Sequence, residues 1–170
     1  MIIRLIIVTS MLISLSSCLT QTMLNPIPFA ASGASGAQFS TLVEANEDEA
    51  IVYVLRDKRF FQGGTYPNIL VNDKNPVALR NGGFIRYSLQ PGTHKIGLSK
   101  GLWWVLGKHA LELNVEAGEE YFVFLDLSNV SMQTTMVGVS AYAYTSGDAR
   151  LVAIDKLTAI QKLEKLKESK

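Results

Sequence analysis

Hydrophobic and polar residues alternate with a period of two from Ala50 onward, which is the pattern of β-strands. The first run, residues 50–56, is apolar on both faces, and this predicts a central strand. Similar short runs recur as far as Ile154, with turn residues between them. The spacing predicts a mainly β domain, which we interpret as a single antiparallel β-sandwich over residues 47–154.

Glycine, asparagine and aspartate mark the turns between these runs. Asn81-Gly82 is a strong hairpin signal, because both central residues of a type I′ turn need positive φ. Residues 72–75 predict another turn. Ser146-Gly147-Asp148 predicts the turn between a last pair of strands, residues 134–144 and 149–154.

The pattern changes at the C-terminal end from a period of two to helical spacing. Residues 155–170 are predicted to form an amphipathic helix, with Asp155 as the N-terminal cap. Two interpretations remain open for this helix: it packs on its own sandwich, or it binds a partner or a membrane surface. The apolar positions at helical spacing are Ile154, Leu157, Ile160, Leu163 and Leu166.

The N-terminal residues 1–17 have the layout of a cleaved export signal. A positive charge at Arg4 precedes an apolar segment, Leu5 to Leu15, and two small serines follow it. The apolar segment is shorter than the ~20 residues that a membrane-spanning helix needs. We therefore expect residues 1–17 to be removed on export.

The end of this leader, Leu15-Ser16-Ser17-Cys18, resembles the lipobox of bacterial lipoproteins. The resemblance implies that the Cys18 thiol receives a diacylglycerol and that the chain is cut before it. Leu19 rather than aspartate follows, which by analogy with two-membrane bacteria implies an outer-membrane protein that faces the periplasm. Two alternatives remain open: an ordinary cleaved signal with an incidental cysteine, and a retained signal anchor.

Residues 18–46 are predicted to be the lipidated cysteine and a flexible tether. Asn25-Pro26-Ile27-Pro28 resists regular structure, and residues 31–37 are small alanine, serine and glycine. The alternative is that part of this segment packs on the domain through Phe29, Phe39 or Leu42.

Net charge, cysteine content and hydrophobic fraction limit which partners and which kind of core this protein can have. Sixteen basic and fifteen acidic residues leave a net charge of +1, so the overall charge gives no electrostatic argument for nucleic acid or an anionic surface as a partner. A single cysteine cannot form an internal disulfide, so apolar burial must hold the core. The hydrophobic fraction of 48% allows this.

Several blocks between Ala50 and Leu127 resemble a bacterial domain family of unknown function that occurs largely in small lipoproteins. The resemblance is also to the β-sandwich modules called carboxypeptidase-regulatory-like and PEGA domains. It implies an antiparallel sandwich and brings no catalytic residues. The blocks are Val52-Tyr53-Val54-Leu55-Arg56, Asn68-Ile69-Leu70-Val71-Asn72, Gly82-Gly83-Phe84, Leu89-Gln90-Pro91-Gly92-Thr93-His94 and Ala117-Gly118-Glu119-Glu120-Tyr121-Phe122.

Two aromatic segments are the candidate partner surface. Trp103-Trp104 is interpreted either as a core plug or as an exposed patch that meets a partner or the membrane interface. Phe60-Phe61 and the neighbouring Arg59 have two interpretations. They form either a solvated loop whose aromatic rings pack against the domain, or a binding site for an anionic or sugar ligand.

The two histidines, His94 and His109, are in phase with apolar neighbours, which predicts structural histidines near the core. Neither has ligands at zinc spacing, so no metal and no cofactor are expected.

Three function hypotheses follow from these residues. The favoured one is a non-enzymatic envelope lipoprotein, attached to the membrane through the lipid on Cys18, that acts as a binding or assembly module for an envelope protein partner. The second is a small-ligand or glycan-binding lipoprotein. The third is a hydrolase with carboxylates dispersed along the chain.

Overall fold

The computed structural model describes residues 33–170. The predicted leader, the lipobox with Cys18 and the first part of the predicted tether lie outside these residues. Within them the fold is mainly β, with three separate sheets and one helix.

The largest sheet has five strands. They are β1 (Ala50–Arg56), β4 (Gly83–Leu89), β7 (Glu120–Asp126), β10 (Arg150–Ala153) and β11 (Lys167–Glu168). Their order across the sheet is β10-β7-β1-β4-β11. The central strand is β1, and every residue of that strand is buried, which confirms the prediction from its apolar pattern.

This sheet is mixed, which corrects the expectation of a purely antiparallel fold. β1 runs parallel to β7, and β11 runs parallel to β4. The period-two pattern reports which residues face the core but not the direction of the neighbouring strand, so sequence reasoning missed the parallel pairs.

The second sheet has four strands, and all its neighbouring strands pair antiparallel. A two-residue turn joins its first hairpin, with Asn72 and Asp73 at φ of 52° and 60°. Asparagine and aspartate tolerate this conformation, and the turn predicted over residues 72–75 is confirmed here. The strands are β2 (Asn68–Val71), β3 (Lys74–Ala78), β5 (Gly92–Ser99) and β6 (Ala110–Val115).

Asn81-Gly82 does not form the hairpin that its sequence predicts. The strands before and after it, β3 and β4, belong to different sheets, so the chain crosses between sheets at this point. Gly82 has a positive φ of 69°, but Asn81 is not among the residues with positive φ. The Asn81 side chain is used instead to hold the backbone of Arg59.

The third sheet is a two-stranded hairpin of β8 (Ser131–Val137) and β9 (Ser140–Ser146). Its turn lies at Gly138, not at the predicted Ser146-Gly147-Asp148. The predicted last pair of strands is therefore wrong: β9 pairs with β8, and β10 pairs with β7.

Two hydrophobic clusters form on opposite faces of the five-stranded sheet. The first contains Val52 and Val54 of β1 together with Ile69, Ile96 and Leu98 of the four-stranded sheet. The second contains the alternate β1 residues, Ile51, Tyr53 and Leu55, together with residues of the C-terminal segment. The period of two along β1 produces this division, because successive side chains point to opposite faces.

Residues 33–46 lie along the second cluster. The Phe39 ring packs edge-on against Phe84, with ring centroids 5.8 Å apart, and Leu42 is half-buried on the same cluster. The Val43 amide donates to the Tyr53 hydroxyl at 2.8 Å. This part of the chain is therefore folded, which corrects the expectation that a flexible tether extends to residue 46.

The C-terminal helix, α1 (Lys156–Leu163), is shorter than predicted. Asp155 caps it by accepting a hydrogen bond from the Thr158 amide at 2.9 Å. The chain then leaves the helix, and Lys167 and Glu168 extend the edge of β4. Leu166 is buried by this turn rather than by another helical turn.

Candidate interaction surface

The loop between β1 and β2 is held from inside by Arg56, which is fully buried. Its Nη1 donates to the carbonyl oxygens of Thr65 at 2.8 Å and Leu79 at 3.1 Å, and its Nη2 donates to that of Gln62 at 2.7 Å. Burial, and then the nearby charge of Arg59, lowers the pKa of Arg56 to about 10. The pattern of residues 50–56 predicted the strand that ends at Arg56 but not this structural role of its side chain.

The same loop is closed from outside by Asn81. Its amide oxygen accepts from the Arg59 backbone N–H, and its amide nitrogen donates to the Arg59 carbonyl oxygen, both at 2.8 Å. Gly63 sits so close to the backbone that a Cβ there would lie 2.5 Å from the Arg59 carbonyl oxygen. These contacts give the loop a defined shape.

The three candidate residues of this loop, Arg59, Phe60 and Phe61, have different environments in the structure. Phe60 is 91% exposed, whereas Phe61 is half-buried against the first hydrophobic cluster. The Arg59 guanidinium donates to the Leu127 carbonyl oxygen at 2.8 Å, so this charge is engaged by the protein itself.

The two adjacent tryptophans have opposite roles. Trp104 is 4% exposed, belongs to the first cluster, and donates its indole N–H to the Gly107 carbonyl oxygen at 3.2 Å. The Arg56 guanidinium carbon lies 5.7 Å from the centroid of its ring. Trp103 is 63% exposed and has a φ of 48°. The candidate surface therefore contains Trp103 but not Trp104.

Phe60, Phe61 and Trp103 come together in one groove of about 450 Å³. The sequence placed them on two separate segments, and the fold brings these segments side by side. The groove is completed by Met132 at the start of β8. Sequence reasoning missed Met132, because a lone methionine in a polar strand carries no signal of its own.

The polar side chains of this groove bond to one another and to the hairpin. The Gln62 side-chain amide donates to the Thr145 hydroxyl of β9, and the Thr65 hydroxyl lies 3.0 Å from Gln62 Oε1. None of the lining residues is charged. The groove is suited to an apolar occupant and has no acid or base for proton transfer.

The β8–β9 hairpin continues this apolar character away from the groove. Residues 131–146 contain no charged side chain. Their bulky apolar residues are all more than half exposed, and Val139 at the turn is 99% exposed. Those exposed residues are Met132, Met136, Val137, Val139, Tyr142 and Tyr144.

A cleft of about 280 Å³ lies beside the β1–β2 loop at Lys58, where residue 33 enters the described domain. Lys58, Lys165 and Lys167 line it, together with Asn81. The Ala34 amide donates to the Asn81 carbonyl oxygen at 3.0 Å, so the N-terminal segment starts beside these lysines.

Both histidines make structural hydrogen bonds. His94 Nε2 lies 2.8 Å from the Gln90 carbonyl oxygen, and its Nδ1 lies 3.0 Å from the Asn72 amide nitrogen. His109 Nδ1 accepts from the Leu151 amide at 3.1 Å. Residues 33–170 contain no group of three or more metal-ligating side chains.

The comparison with known families matches residues 46–139, more than half of the chain, to the family described as "Protein of unknown function (DUF2846)". The chain belongs to this family. No curated protein matches the chain. In the part of the chain that the structure describes, no helix is long and apolar enough to cross a membrane.

The DUF2846 region contains the whole lining of the groove, from Phe60 to Met132. It ends at the turn of the hairpin, so β9, β10, α1 and β11 lie beyond it. The family match confirms the expected membership in a family of unknown function. The resemblance to carboxypeptidase-regulatory-like and PEGA modules stays a prediction.

Proposed function

We propose that this protein is a non-enzymatic envelope lipoprotein, anchored through a lipid on Cys18, whose DUF2846 domain is a binding module. The groove of Phe60, Phe61, Trp103 and Met132 is its binding surface. The observation that carries the proposal is this groove, because an exposed apolar concavity beside a second exposed apolar element is unusual on a water-soluble surface.

The anchor is proposed from the leader sequence. Leu15-Ser16-Ser17-Cys18 ends an apolar segment too short to span a bilayer, and Cys18 is the single cysteine of the chain. Each buried lipid methylene contributes ~0.8 kcal/mol, so two or three acyl chains attach a protein stably. The proposed location is the periplasmic face of an outer membrane.

The scaffold is proposed to be a β-sandwich made by the five-stranded and four-stranded sheets. The first hydrophobic cluster supports this arrangement, because buried residues of both sheets contribute to it. In such a scaffold the loops that form the groove would be carried by rigid strands, as is common for binding sites.

A small apolar ligand is the second candidate for the groove. The volume of about 450 Å³ falls within the range of small-molecule sites. A glycan is less well suited, because Gln62 and Thr65 already bond within the protein and Arg59 is engaged with Leu127. No observation favours the hydrolase with dispersed carboxylates.

The anchor is tested by growing expressing cells with labelled palmitate. We expect the wild-type protein to carry the label and Cys18→Ser to lack it. Labelling of the serine variant, or a wild-type protein that fractionates without membranes and without label, would contradict the proposal.

The groove is tested by comparing Trp103→Ser with Val105→Ser. Both side chains are exposed on the same loop, but only Trp103 lines the groove. We expect Trp103→Ser to lose the fluorescence gain of the neutral dye N-phenyl-1-naphthylamine. Val105→Ser should keep this gain, and both variants should unfold within ~0.5 kcal/mol of wild type. Equal behaviour of the two variants would show that the groove is not the binding surface.

A further inference from the structure

The β8–β9 hairpin exposes apolar side chains without any charge to keep them in water. Met136, Val137 and Val139 lie at or next to its turn, and Tyr142 and Tyr144 lie on one face of β9. Within residues 33–170, β8 and β9 pair with each other and with no strand of the other two sheets. An element of this kind is expected to be covered by something apolar.

The face of the hairpin that carries Met132 and Met136 is continuous with the groove, whereas Tyr142 and Tyr144 lie on the opposite face. Met132, at the base of β8, lines the groove with Phe60 and Trp103. Gln62 of the loop bonds Thr145, which lies opposite Met132 across the hairpin. Whatever covers the groove therefore also lies next to the base of the hairpin.

The proposed anchor reaches the domain on this same side. Gly33 forms a bridge with Asn81, and Asn81 holds the backbone of Arg59, next to Phe60. Gly33 lies fifteen positions after Cys18, and a chain of fifteen steps spans at most about 50 Å. A lipid on Cys18 would thus keep the membrane surface within reach of Phe60 and Trp103.

Positive charge lies beside Gly33, where the N-terminal segment joins the described domain. Lys58, Lys165 and Lys167 line the cleft at Gly33, and that cleft has no acidic lining residue. In the described part of the chain none of these lysines takes part in an ion pair. Lysines next to exposed aromatic residues are complementary to a surface of anionic lipid headgroups.

We propose that this surface docks on the anionic phospholipid bilayer that holds the anchor, with the rings of Phe60 and Trp103 and the hairpin turn at Val139 in the interfacial layer. The contact is shallow, because the hairpin has two unpaired edges and hydrocarbon does not tolerate unpaired backbone groups. Tryptophan side chains are favoured at this depth, which suits the exposed Trp103. The proposal rests on the anchor at Cys18 proposed above and names the bilayer as the partner of the groove.

The first test measures whether Trp103 touches lipid. Protein purified from membranes is reconstituted into vesicles of phosphatidylethanolamine and phosphatidylglycerol, with and without brominated acyl chains. We expect brominated lipid to quench wild-type fluorescence and to leave Trp103→Phe nearly unquenched, since its remaining Trp104 is buried. Equal weak quenching of both proteins would overturn the proposal.

The second test measures affinity without the anchor, in the Cys18→Ser chain. Adding Val139→Asp should weaken sedimentation with the same vesicles by about tenfold, since burial of one valine side chain is worth roughly one decade of affinity. Val105→Asp, an equally charged change outside the groove, is the matched control and should leave the affinity unchanged. An equal affinity of the Val139→Asp and Val105→Asp chains would overturn docking.

Lysine substitution tests the headgroup contribution. Lys58→Gln together with Lys165→Gln and Lys167→Gln should weaken binding to phosphatidylglycerol vesicles and reduce its salt dependence, while binding to neutral phosphatidylcholine vesicles stays the same. An unchanged salt dependence would contradict the headgroup assignment.

The failures of the two proposals are distinguishable. If mass spectrometry finds lipid on Cys18 but Trp103 is not quenched, the anchor stands and the surface faces a protein partner or a second copy of the chain. Cross-linked dimers in detergent would identify the second copy. If Cys18 is bare, the proposed anchor is wrong, and the affinity difference between Val139→Asp and Val105→Asp still decides the docking.

Discussion

Single residues of this protein are understood only from their neighbours in space, as the pair Trp103-Trp104 shows. Both side chains belong to the same residue type, yet Trp104 is buried in the first cluster and Trp103 is exposed, with an unusual positive φ at Trp103. Arg56 makes the opposite point: a charged residue is buried because three carbonyl oxygens accept from it. Residue type alone predicted neither outcome.

Tyr87 gives a prediction at this scale. Its buried hydroxyl has no hydrogen-bond partner within residues 33–170, and burial raises the pKa of Tyr87 from 10.0 to about 12. Above pH 10 the unfolded chain releases the phenol proton while the folded chain keeps it, so this group makes stability fall as pH rises towards 12.

We therefore expect Tyr87→Phe to lose less stability than wild type between neutral pH and about pH 11. At neutral pH the variant should be equal to wild type or more stable by about 1 kcal/mol, because an unpaired buried hydroxyl is removed. Urea unfolding at the two pH values measures both quantities. The lowered pKa of Arg56 makes stability rise with pH in the same range, but this contribution is present in both wild type and Tyr87→Phe and does not affect their difference. Parallel losses in the two proteins would show that the Tyr87 hydroxyl is not desolvated.

At the scale of elements, the β8–β9 hairpin differs from every other strand pair in where its stability comes from. The other strands belong to sheets that contribute to the two hydrophobic clusters, whereas all residues of β8 are exposed. A two-stranded hairpin without a packed face is marginal by itself. Its side chains are thus available for an interface rather than for the core.

Removing the hairpin should therefore change stability little. Joining Val130 to Gly147 by a short glycine-serine link is geometrically feasible, because a Cβ on Gly147 would lie 3.1 Å from the Val130 Cα. We expect a loss of about 1 kcal/mol or less, which is a few degrees in Tm. Leu151→Ala in β10, at a buried position, should cost about 2–5 kcal/mol and serves as the comparison. A hairpin deletion as damaging as Leu151→Ala would contradict this assignment.

At the scale of the whole molecule, segments distant in sequence complete the second hydrophobic cluster. Phe39 and Leu42 cover it from the N-terminal side, and Ala159, Leu163 and Leu166 cover it from the C-terminal side. The main-chain bond from the Phe39 amide to the Leu166 carbonyl oxygen, at 3.1 Å, joins the two ends directly. The folded unit is therefore larger than the family match over residues 46–139.

A comparison of two truncated chains tests this boundary. The chain that begins at Gly33 should fold, and the chain that begins at Glu47 should be less stable by about 1–3 kcal/mol, because the half-buried Phe39 ring loses its packing on the second cluster. Phe39→Ala in the longer chain isolates that contribution. Denaturant unfolding gives the free energies, and equal stability of the two truncated chains would place residues 33–46 outside the folded unit.

Local patterns in the sequence were sufficient for the mainly β fold, the central position of β1 and the turn at Asn72-Asp73, because burial on alternate faces and positive φ are properties of a few neighbouring residues. They also identified Phe60 and Trp103 as candidates for an interaction surface. They did not determine that β1 lies parallel to β7, that Asn81-Gly82 crosses between sheets, or that the helix ends at Leu163. These features depend on which distant segment lies alongside, as does the groove that Met132 completes, and only the packed chain decides that.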